Sequence, residues 1–145
     1  MNLEFHPATA VDASCIYRQA KQLIDAYEDL SSIDYDRVLS WMERKISRNI
    51  EHYTSVTLDG EKCGYYCLRD DGELDDMYVL PQYLNRGIGS RILQRCIRQT
   101  SNPLYLYVFL SNEGAIRLYR RFGFEMAEPM SPTRCIMRRE KVVDT

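Results

Sequence analysis

The end of a strand, a loop with two close glycines and the start of a helix follow one another in Val79-Leu80-Pro81-Gln82-Tyr83-Leu84-Asn85-Arg86-Gly87-Ile88-Gly89-Ser90-Arg91-Ile92-Leu93. The apolar residues at 88, 92, 93, 96 and 97 repeat at helical spacing and predict a helix to about Thr100. Gly87 and Gly89 let the backbone approach a ligand closely, and the first turn of a helix leaves N–H groups without partners. The run therefore predicts an anion site, most naturally for phosphate.

Length and composition indicate one globular domain, residues 1–145. Hydrophobic residues make up 45% of the 145, which is enough for a single core. The net charge of −2 argues against a nucleic-acid binder that relies on positive charge. No stretch approaches the roughly 18 apolar residues of a membrane span, and the first residues lack a signal-peptide pattern. We therefore expect a cytoplasmic protein that binds neither nucleic acid nor membrane.

The cysteines and histidines do not form a metal-ligand pattern. The five cysteines, at 15, 63, 67, 96 and 135, contain no CxxC pair, and the two histidines are far apart in sequence. Reduced thiols in a cytosolic protein explain this usage. We predict no metal site.

The spacing of apolar residues and turn signals divides the chain into strands and helices. Seven strands are predicted, at 3–5, 53–58, 62–69, 73–80, 104–110, 124–128 and 133–139. Four helices are predicted, at 10–29, 34–53, 88–100 and 112–122, with Asp34 as the cap of the second. The apolar stripes of the first two helices include Val11, Leu30 and Trp41. The order β-α-α-β-β-β-α-β-α-β-β indicates a mixed α/β (α+β) fold, with a mostly antiparallel central sheet flanked by four helices.

The glycine loop resembles the phosphate loop of the GNAT family of N-acetyltransferases, whose pattern is Gln or Arg, two residues, Gly, one residue, then Gly or Ala. Here the loop is Leu84-Asn85-Arg86-Gly87-Ile88-Gly89, so Leu84 removes one side-chain contact of the family pattern. The resemblance implies that backbone N–H groups hold the pyrophosphate of acetyl-CoA. A dinucleotide fingerprint is the alternative, but it needs a third glycine where Ile92 stands.

A second segment is similar to the same family in its Asn, Ala, Leu-Tyr and Gly-Phe spacing: Asn112-Glu113-Gly114-Ala115-Ile116-Arg117-Leu118-Tyr119-Arg120-Arg121-Phe122-Gly123-Phe124-Glu125. Asn112 and Tyr119 are seven residues apart and so share one helix face. The resemblance implies that Asn112 bonds near the pantetheine arm and that Tyr119 protonates the departing thiolate. Alternatively, Tyr119 belongs to an apolar core stripe.

The strand at 73–80 completes the site that the resemblance implies, because its backbone would pair with the pantetheine amides. Residues 73, 75, 77 and 79 would then share one face, unless a bulge, which is common in the family, interrupts the strand. The cofactor-binding residues implied in this way are Met77, Tyr78, Val79, Asn85, Arg86, Gly87, Ile88, Gly89, Ser90, Asn112 and Tyr119.

Three carboxylates in this strand, Glu73, Asp75 and Asp76, are candidates for the base that takes the proton of the acceptor amine. Glu73 stands eleven residues before Leu84, where histone-acetylating relatives carry a catalytic glutamate, and is the preferred candidate. Alternatively, all three are solvated acids with ordinary pKa values and are poor bases. Replacing Glu73 by Gln is expected to lower the rate most at low pH.

The segment 27–36 between the first two helices usually shapes the acceptor pocket in this family. Its acids and tyrosines would attract a cationic amine and pack against its carbon chain. The predicted substrate-binding residues are Tyr27, Asp29, Asp34 and Asp75. The alternative is a polar loop with a helix cap.

These patterns predict an acetyl-CoA-dependent N-acetyltransferase in which a small, cationic primary amine attacks the thioester directly. One alternative is an acetyltransferase that acts on protein lysines or N-termini, and another is a non-catalytic acyl-CoA-binding module. Many family members are dimers, so a homodimer is one expected assembly.

Overall fold

Seven strands and four α-helices make up residues 2–140, the part of the chain that the computed structural model describes. The predicted domain limits, residues 1 and 145, lie outside this range. The helices are α1 (Ala13–Tyr27), α2 (Tyr35–Arg48), α3 (Ile88–Gln99) and α4 (Glu113–Arg121). The strands are β1 (Leu3–Pro7), β2 (Tyr53–Leu58), β3 (Glu61–Leu68), β4 (Leu74–Val79), β5 (Leu104–Phe109), β6 (Glu125–Pro129) and β7 (Arg134–Arg139). The predicted order of elements is confirmed.

The first two helices are shorter than predicted at 10–29 and 34–53. Residues 10–12 form a 3-10 turn in which the Asp12 carboxylate accepts the Thr9 N–H at 2.9 Å, and α1 starts only after it. The second helix ends at Arg48 because the side chain of Asn49 bonds back to the Lys45 carbonyl and another 3-10 turn follows. Asp34 caps α2 as predicted, accepting the Arg37 N–H.

Two antiparallel sheets carry the fold, with strand orders β1-β2-β3-β4 and β5-β7-β6. They meet at one isolated parallel bridge, between Glu73 and Tyr105. Beyond that bridge β4 and β5 run in the same direction but pair only with their own sheets. The gap between them therefore separates the two halves of the sheet.

The two sheets together form one layer, and this layer has a hydrophobic core on each face. Ile92, Leu93 and Phe124 are fully buried in the core under α3 and α4. Ile16 and Ile46 are buried in the core under α1 and α2. The two faces thus carry different pairs of helices.

A bulge interrupts β4, so the predicted alternation of its side chains does not hold along the whole strand. Leu68 pairs with Leu74 and Cys67 with Asp76, so Asp75 is an extra residue without a partner in β3. As a result, Leu74 packs in the core under α3 and α4, whereas Tyr78 packs in the core under α1 and α2. In a regular strand the two would share a face.

Three residues of the predicted apolar stripes are exposed: Val11 at 87%, Trp41 at 54% and Leu30 at 41%. Val11 and Leu30 lie in 3-10 turns outside the helices, where the helical period does not hold. Trp41 faces the cavity described below. No helix within residues 2–140 is long and apolar enough to span a bilayer.

Candidate active site

A cavity of about 740 Å³ lies along the gap between β4 and β5. It is lined by residues 73–78, by residues 106–109 and by parts of α1, α2 and α4. Glu73, Asn112 and Tyr119, three of the predicted site residues, share this one cavity. The bridge between Glu73 and Tyr105 closes the gap at one end.

The inner edge of β4 presents free backbone groups to this gap. The Leu80 N–H donates to the Cys63 carbonyl at 2.8 Å, and the Tyr78 carbonyl faces Gly64, so both residues point their backbone groups towards β3. Because these directions alternate along a strand, Met77 and Val79 point their N–H and C=O groups away from β3. An extended amide chain such as a pantetheine arm fits this edge in the way an added strand would.

The glycine loop forms the predicted turn into a helix. Gly87 is the N-cap of α3 in a left-handed conformation, with φ of +79°, and Asn85 also has a positive φ, of +63°. A β-carbon on Gly87 would meet no atom within 4 Å, so its backbone is open to a ligand. The first N–H groups of α3, at 88–90, need partners from outside the helix, which suits a pyrophosphate. The guanidinium of Arg86 lies 5.4 Å from the centre of the Tyr83 ring.

Gly89 has a different role from that of Gly87. A β-carbon at Gly89 would lie 3.1 Å from Leu118 and 3.8 Å from Met77. It therefore lets α3 pack closely on α4 and β4. The approach to a ligand through both glycines stays a prediction, and at Gly89 it concerns the backbone N–H, because the place of a β-carbon is taken by the packing of α3.

Tyr119 and Asn112 come from α4 and line the cavity. The side-chain oxygen of Asn112 caps the helix, accepting the Ala115 N–H at 3.2 Å, which leaves its amide N–H groups available as donors. Burial, with a smaller contribution from Cys96, raises the pKa of Tyr119 to about 12. Burial also raises the pKa of the nearby Cys96 thiol to about 12.

Glu73 lines the cavity and has a raised pKa. Burial and the neighbouring Asp75 and Asp71 carboxylates raise the pKa of Glu73 to about 7, against a smaller opposing effect of Arg69. The hydroxyl of Tyr105 lies 3.5 Å from its carboxylate. The reading of Glu73 as an ordinary solvated acid is therefore disfavoured.

Asp75 and Asp76, the other two candidate bases, are paired with cations. Lys45 of α2 places its Nζ 3.2 Å from Asp75 and 3.7 Å from Asp76, and Arg69 lies 3.6 Å from Asp75. Burial opposes the charge of Lys45, but the two carboxylates together raise its pKa above the ordinary value. Asp76 also accepts the hydroxyls of Tyr53 and Tyr78, the latter at 2.7 Å. These contacts hold α2 against the bulged strand.

Of the predicted acceptor residues, only Asp75 lines the cavity. Asp29 and Asp34 instead accept backbone N–H groups, from Ser31 and Arg37, and thereby cap short local structures. The Tyr27 ring stacks on Phe109 at 6.4 Å. The structure thus favours the alternative that this segment is a capped polar loop.

Several cavity residues were missed at the level of sequence: Trp41, Lys45, Arg69, Tyr107 and Arg134. Lys45 carried a weak signal, since it stands on α2 between the buried Met42 and Ile46. Arg134 carried none, because its position depends on the pairing of β7 with β5. Within residues 2–140 there is no cluster of three or more His, Cys, Asp or Glu that could hold a metal ion.

The sequence of this chain is related to those of known N-acetyltransferases. A sequence profile described as the acetyltransferase (GNAT) family matches residues 17–124. The peptidyl-lysine N-acetyltransferase YiaC of Escherichia coli (strain K12) is 31% identical over 70 residues, which cover 48% of this chain and 47% of that protein. The spermine/spermidine N(1)-acetyltransferase of Bacillus subtilis (strain 168) is 35% identical over 57 residues, or 36% of this chain and 38% of that protein. The chain spans less than two thirds of the first curated relatives it matches.

Solved structures share the fold. The PaiA N-acetyltransferase of Thermoplasma acidophilum, determined in complex with coenzyme A, has a TM-score of 0.70 at 17% identity, covering 97% of this chain and 99% of that one. The family profile covers most of the chain, including the glycine loop and the second segment up to Phe124. The chain therefore belongs to the acetyltransferase (GNAT) family, whose cosubstrate is acetyl-CoA.

Proposed function

We propose that this protein transfers the acetyl group of acetyl-CoA to the nitrogen of a small primary amine, which attacks the thioester directly. One observation carries the proposal: a single cavity combines an open strand edge with a carboxylate whose pKa is about 7. The strand edge offers backbone hydrogen bonds to the amides of acetyl-CoA, and the carboxylate can accept the proton of the acceptor amine.

Acetyl-CoA supplies an activated acyl group whose leaving group is a thiolate. In our proposal, the N–H groups at residues 88–90 bind its pyrophosphate and Arg86 adds positive charge. Met77 and Val79 bind the pantetheine amides through their backbone, and an N–H of this edge polarises the acyl oxygen. Asn112 donates its free amide N–H to the same arm.

Glu73 removes the proton that the acceptor must lose. A primary amine is almost entirely protonated at neutral pH, because its pKa is close to that of a lysine. A carboxylate with a pKa of about 7 is about half ionised at pH 7 and is well matched to accept this proton, directly or through water. The positive charge of the incoming ammonium is met by Glu73, since Asp75 and Asp76 are already paired with Lys45 and Arg69.

Tyr119 supplies a proton to the departing sulfur. With a pKa of about 12, its hydroxyl keeps its proton throughout the physiological range. The thiolate of CoA that forms as the C–S bond breaks can accept the hydrogen bond and then the proton of this phenol.

The test is the release of CoA from acetyl-CoA in the presence of polyamines, aminoglycosides, amino acids and lysine peptides. We expect release that depends on at least one small amine. Release only with lysine peptides would support the protein acetyltransferase instead. No release above background hydrolysis, together with tight binding of acetyl-CoA, would overturn the proposal in favour of a non-catalytic module.

A further inference from the structure

The side chain of Arg134 lines the cavity without a polar partner. Within residues 2–140 it forms no ion pair and no hydrogen bond through its guanidinium. Its Nε is the only buried side-chain nitrogen or oxygen atom in that range without a hydrogen-bond partner. The guanidinium instead lies 5.7 Å from the centre of the Phe109 ring.

The other two cations of the cavity are paired with carboxylates. Lys45 is paired with Asp75 and Asp76, and Arg69 with Asp75. Glu28, a carboxylate of the cavity lining, accepts the hydroxyl of Thr133, the residue before Arg134, at 2.5 Å and the Asp29 N–H at 2.9 Å. Among the described residues, Arg134 is therefore the cavity cation without an ion pair.

Arg134 lies on the face of the sheet away from the phosphate loop. It pairs with Phe109 across β5 and β7, so the two side chains point to the same face. Phe109 packs with the core under α1 and α2, whereas the glycine loop leads into α3 on the opposite face. The guanidinium and the groups proposed to bind pyrophosphate thus lie on opposite faces of the sheet.

A guanidinium that has no ion pair and whose Nε is buried without a partner costs stability unless a ligand pairs with it. Its planar fork of N–H donors matches a carboxylate or phosphate group, which it binds through two parallel hydrogen bonds. A neutral or purely cationic ligand would leave it unpaired.

We propose that the acceptor amine carries an oxyanion, a carboxylate or a phosphate, and that Arg134 binds this group. The inference rests on the proposed function, because it names the substrate class of the same cavity. Glu73 receives the amine and Arg134 the oxyanion. Their strand partners, Tyr105 and Phe109, are four residues apart on β5, or about 13 Å at the usual rise per residue. The amine and the oxyanion therefore sit on different carbons of the acceptor.

The test compares acceptors that differ only in the oxyanion. γ-Aminobutyrate is paired with butylamine, lysine with cadaverine, and O-phosphoethanolamine with ethanolamine. Turnover is followed as CoA release. Binding is followed separately in the presence of CoA through the fluorescence of Trp41, the only tryptophan of the chain, which lines the cavity.

The wild-type protein should prefer the carboxylate or phosphate member of at least one pair by about tenfold or more, the range expected for hydrogen bonds to a charged group. Arg134→Gln should reduce that preference to near one. Arg138→Gln is the matched control, since Arg138 lies on the same strand, is exposed and pairs with Glu128 at 3.9 Å. It should keep the wild-type preference. Thermal melts of all three proteins confirm folding.

The two readouts separate failure of the inference from failure of the proposed function. Turnover with equal preference for both members of every pair, or a preference that Arg134→Gln retains, would overturn the inference alone. Binding that prefers the oxyanion and depends on Arg134, without turnover of any acceptor, would support the site and overturn the proposed catalysis. A preference for the phosphate pair over both carboxylate pairs would identify the oxyanion as phosphate.

Discussion

Glu73 and Tyr105 form the single parallel bridge at which the two sheets meet. The backbone contact is reinforced by the Tyr105 N–H, which donates to the Gly72 carbonyl at 3.1 Å. The Tyr105 hydroxyl donates to Asp71 at 2.7 Å and lies 3.5 Å from the Glu73 carboxylate. The proposed base is therefore fixed at the closed end of the gap, by the same residue pair that joins the sheets.

The raised pKa of Glu73 implies that this residue weakens the fold at neutral pH. A carboxyl with a pKa of about 7 when folded and about 4.3 when unfolded is less easily ionised in the native state. Stability should therefore fall as pH rises from about 4 to 7. Glu73→Gln should raise the free energy of unfolding by about 1 kcal/mol at pH 8, after allowance for solvent screening, and leave it unchanged at pH 4.

Urea unfolding at the two pH values measures this effect. Glu51→Gln, at an exposed position, serves as the control and should change neither value. A Glu73→Gln protein that is no more stable at pH 8 than the wild type would show that Glu73 titrates as an ordinary acid.

Gly87→Ala should weaken acetyl-CoA binding. The substitution forces a side chain into a left-handed backbone at φ of +79° and costs about 1 kcal/mol. Gly60→Ala is a matched control, because Gly60 also has a positive φ, +87°, and also has no atom within 4 Å of an added β-carbon. Both variants should lose similar stability, but only Gly87→Ala should raise the Kd for acetyl-CoA, measured by calorimetry. Equal Kd values for the two variants would argue against the loop as the phosphate site.

Tyr119→Phe should lower kcat by roughly 100-fold, the lower end of the range for a proton donor, and leave the KM for acetyl-CoA nearly unchanged. The ring and its packing on Phe124 are kept, so the loss reports the hydroxyl. Tyr17→Phe, on α1, controls for the general effect of losing a tyrosine hydroxyl. A kcat within twofold of the wild type would leave Tyr119 as a core residue only.

Lys45→Met should destabilise the protein by about 2 kcal/mol at pH 7, because it leaves two partly buried carboxylates with less compensation. Lys21→Met is the control, since its pair with Asp25 is exposed and should contribute much less to stability. Urea unfolding measures the free energy of unfolding of both variants. Equal losses of this free energy in the two variants would contradict the structural role of Lys45.

The sequence was sufficient for those parts of the fold that depend on local patterns. The glycine loop, the cap at Asp34 and the order of strands and helices follow from residue type and spacing. The bulge at Asp75 could not be placed, because it depends on the register between β3 and β4. One extra residue there moves the following side chains to the other face.

The candidate site was predicted only where it lies on consecutive residues. Asn112 and Tyr119 share a helix face and so reach one cavity together. Lys45 comes from α2, Arg69 from the loop after β3 and Arg134 from β7, and only the tertiary fold brings them to the same cavity. Asp29 and Asp34 are acids near the predicted pocket, but local backbone N–H groups compete for them more effectively than a distant ligand.

The most direct test of the account is the pH dependence of kcat/KM for an acceptor amine, in the wild type and in Glu73→Gln. The wild-type value should fall below pH 7 and level off above it, as the free base ionises. The variant should be at least about 100-fold slower at pH 7 and keep rising at higher pH, because it relies on amine that is already unprotonated. Parallel profiles separated by less than twofold would contradict the assignment of Glu73 as the base.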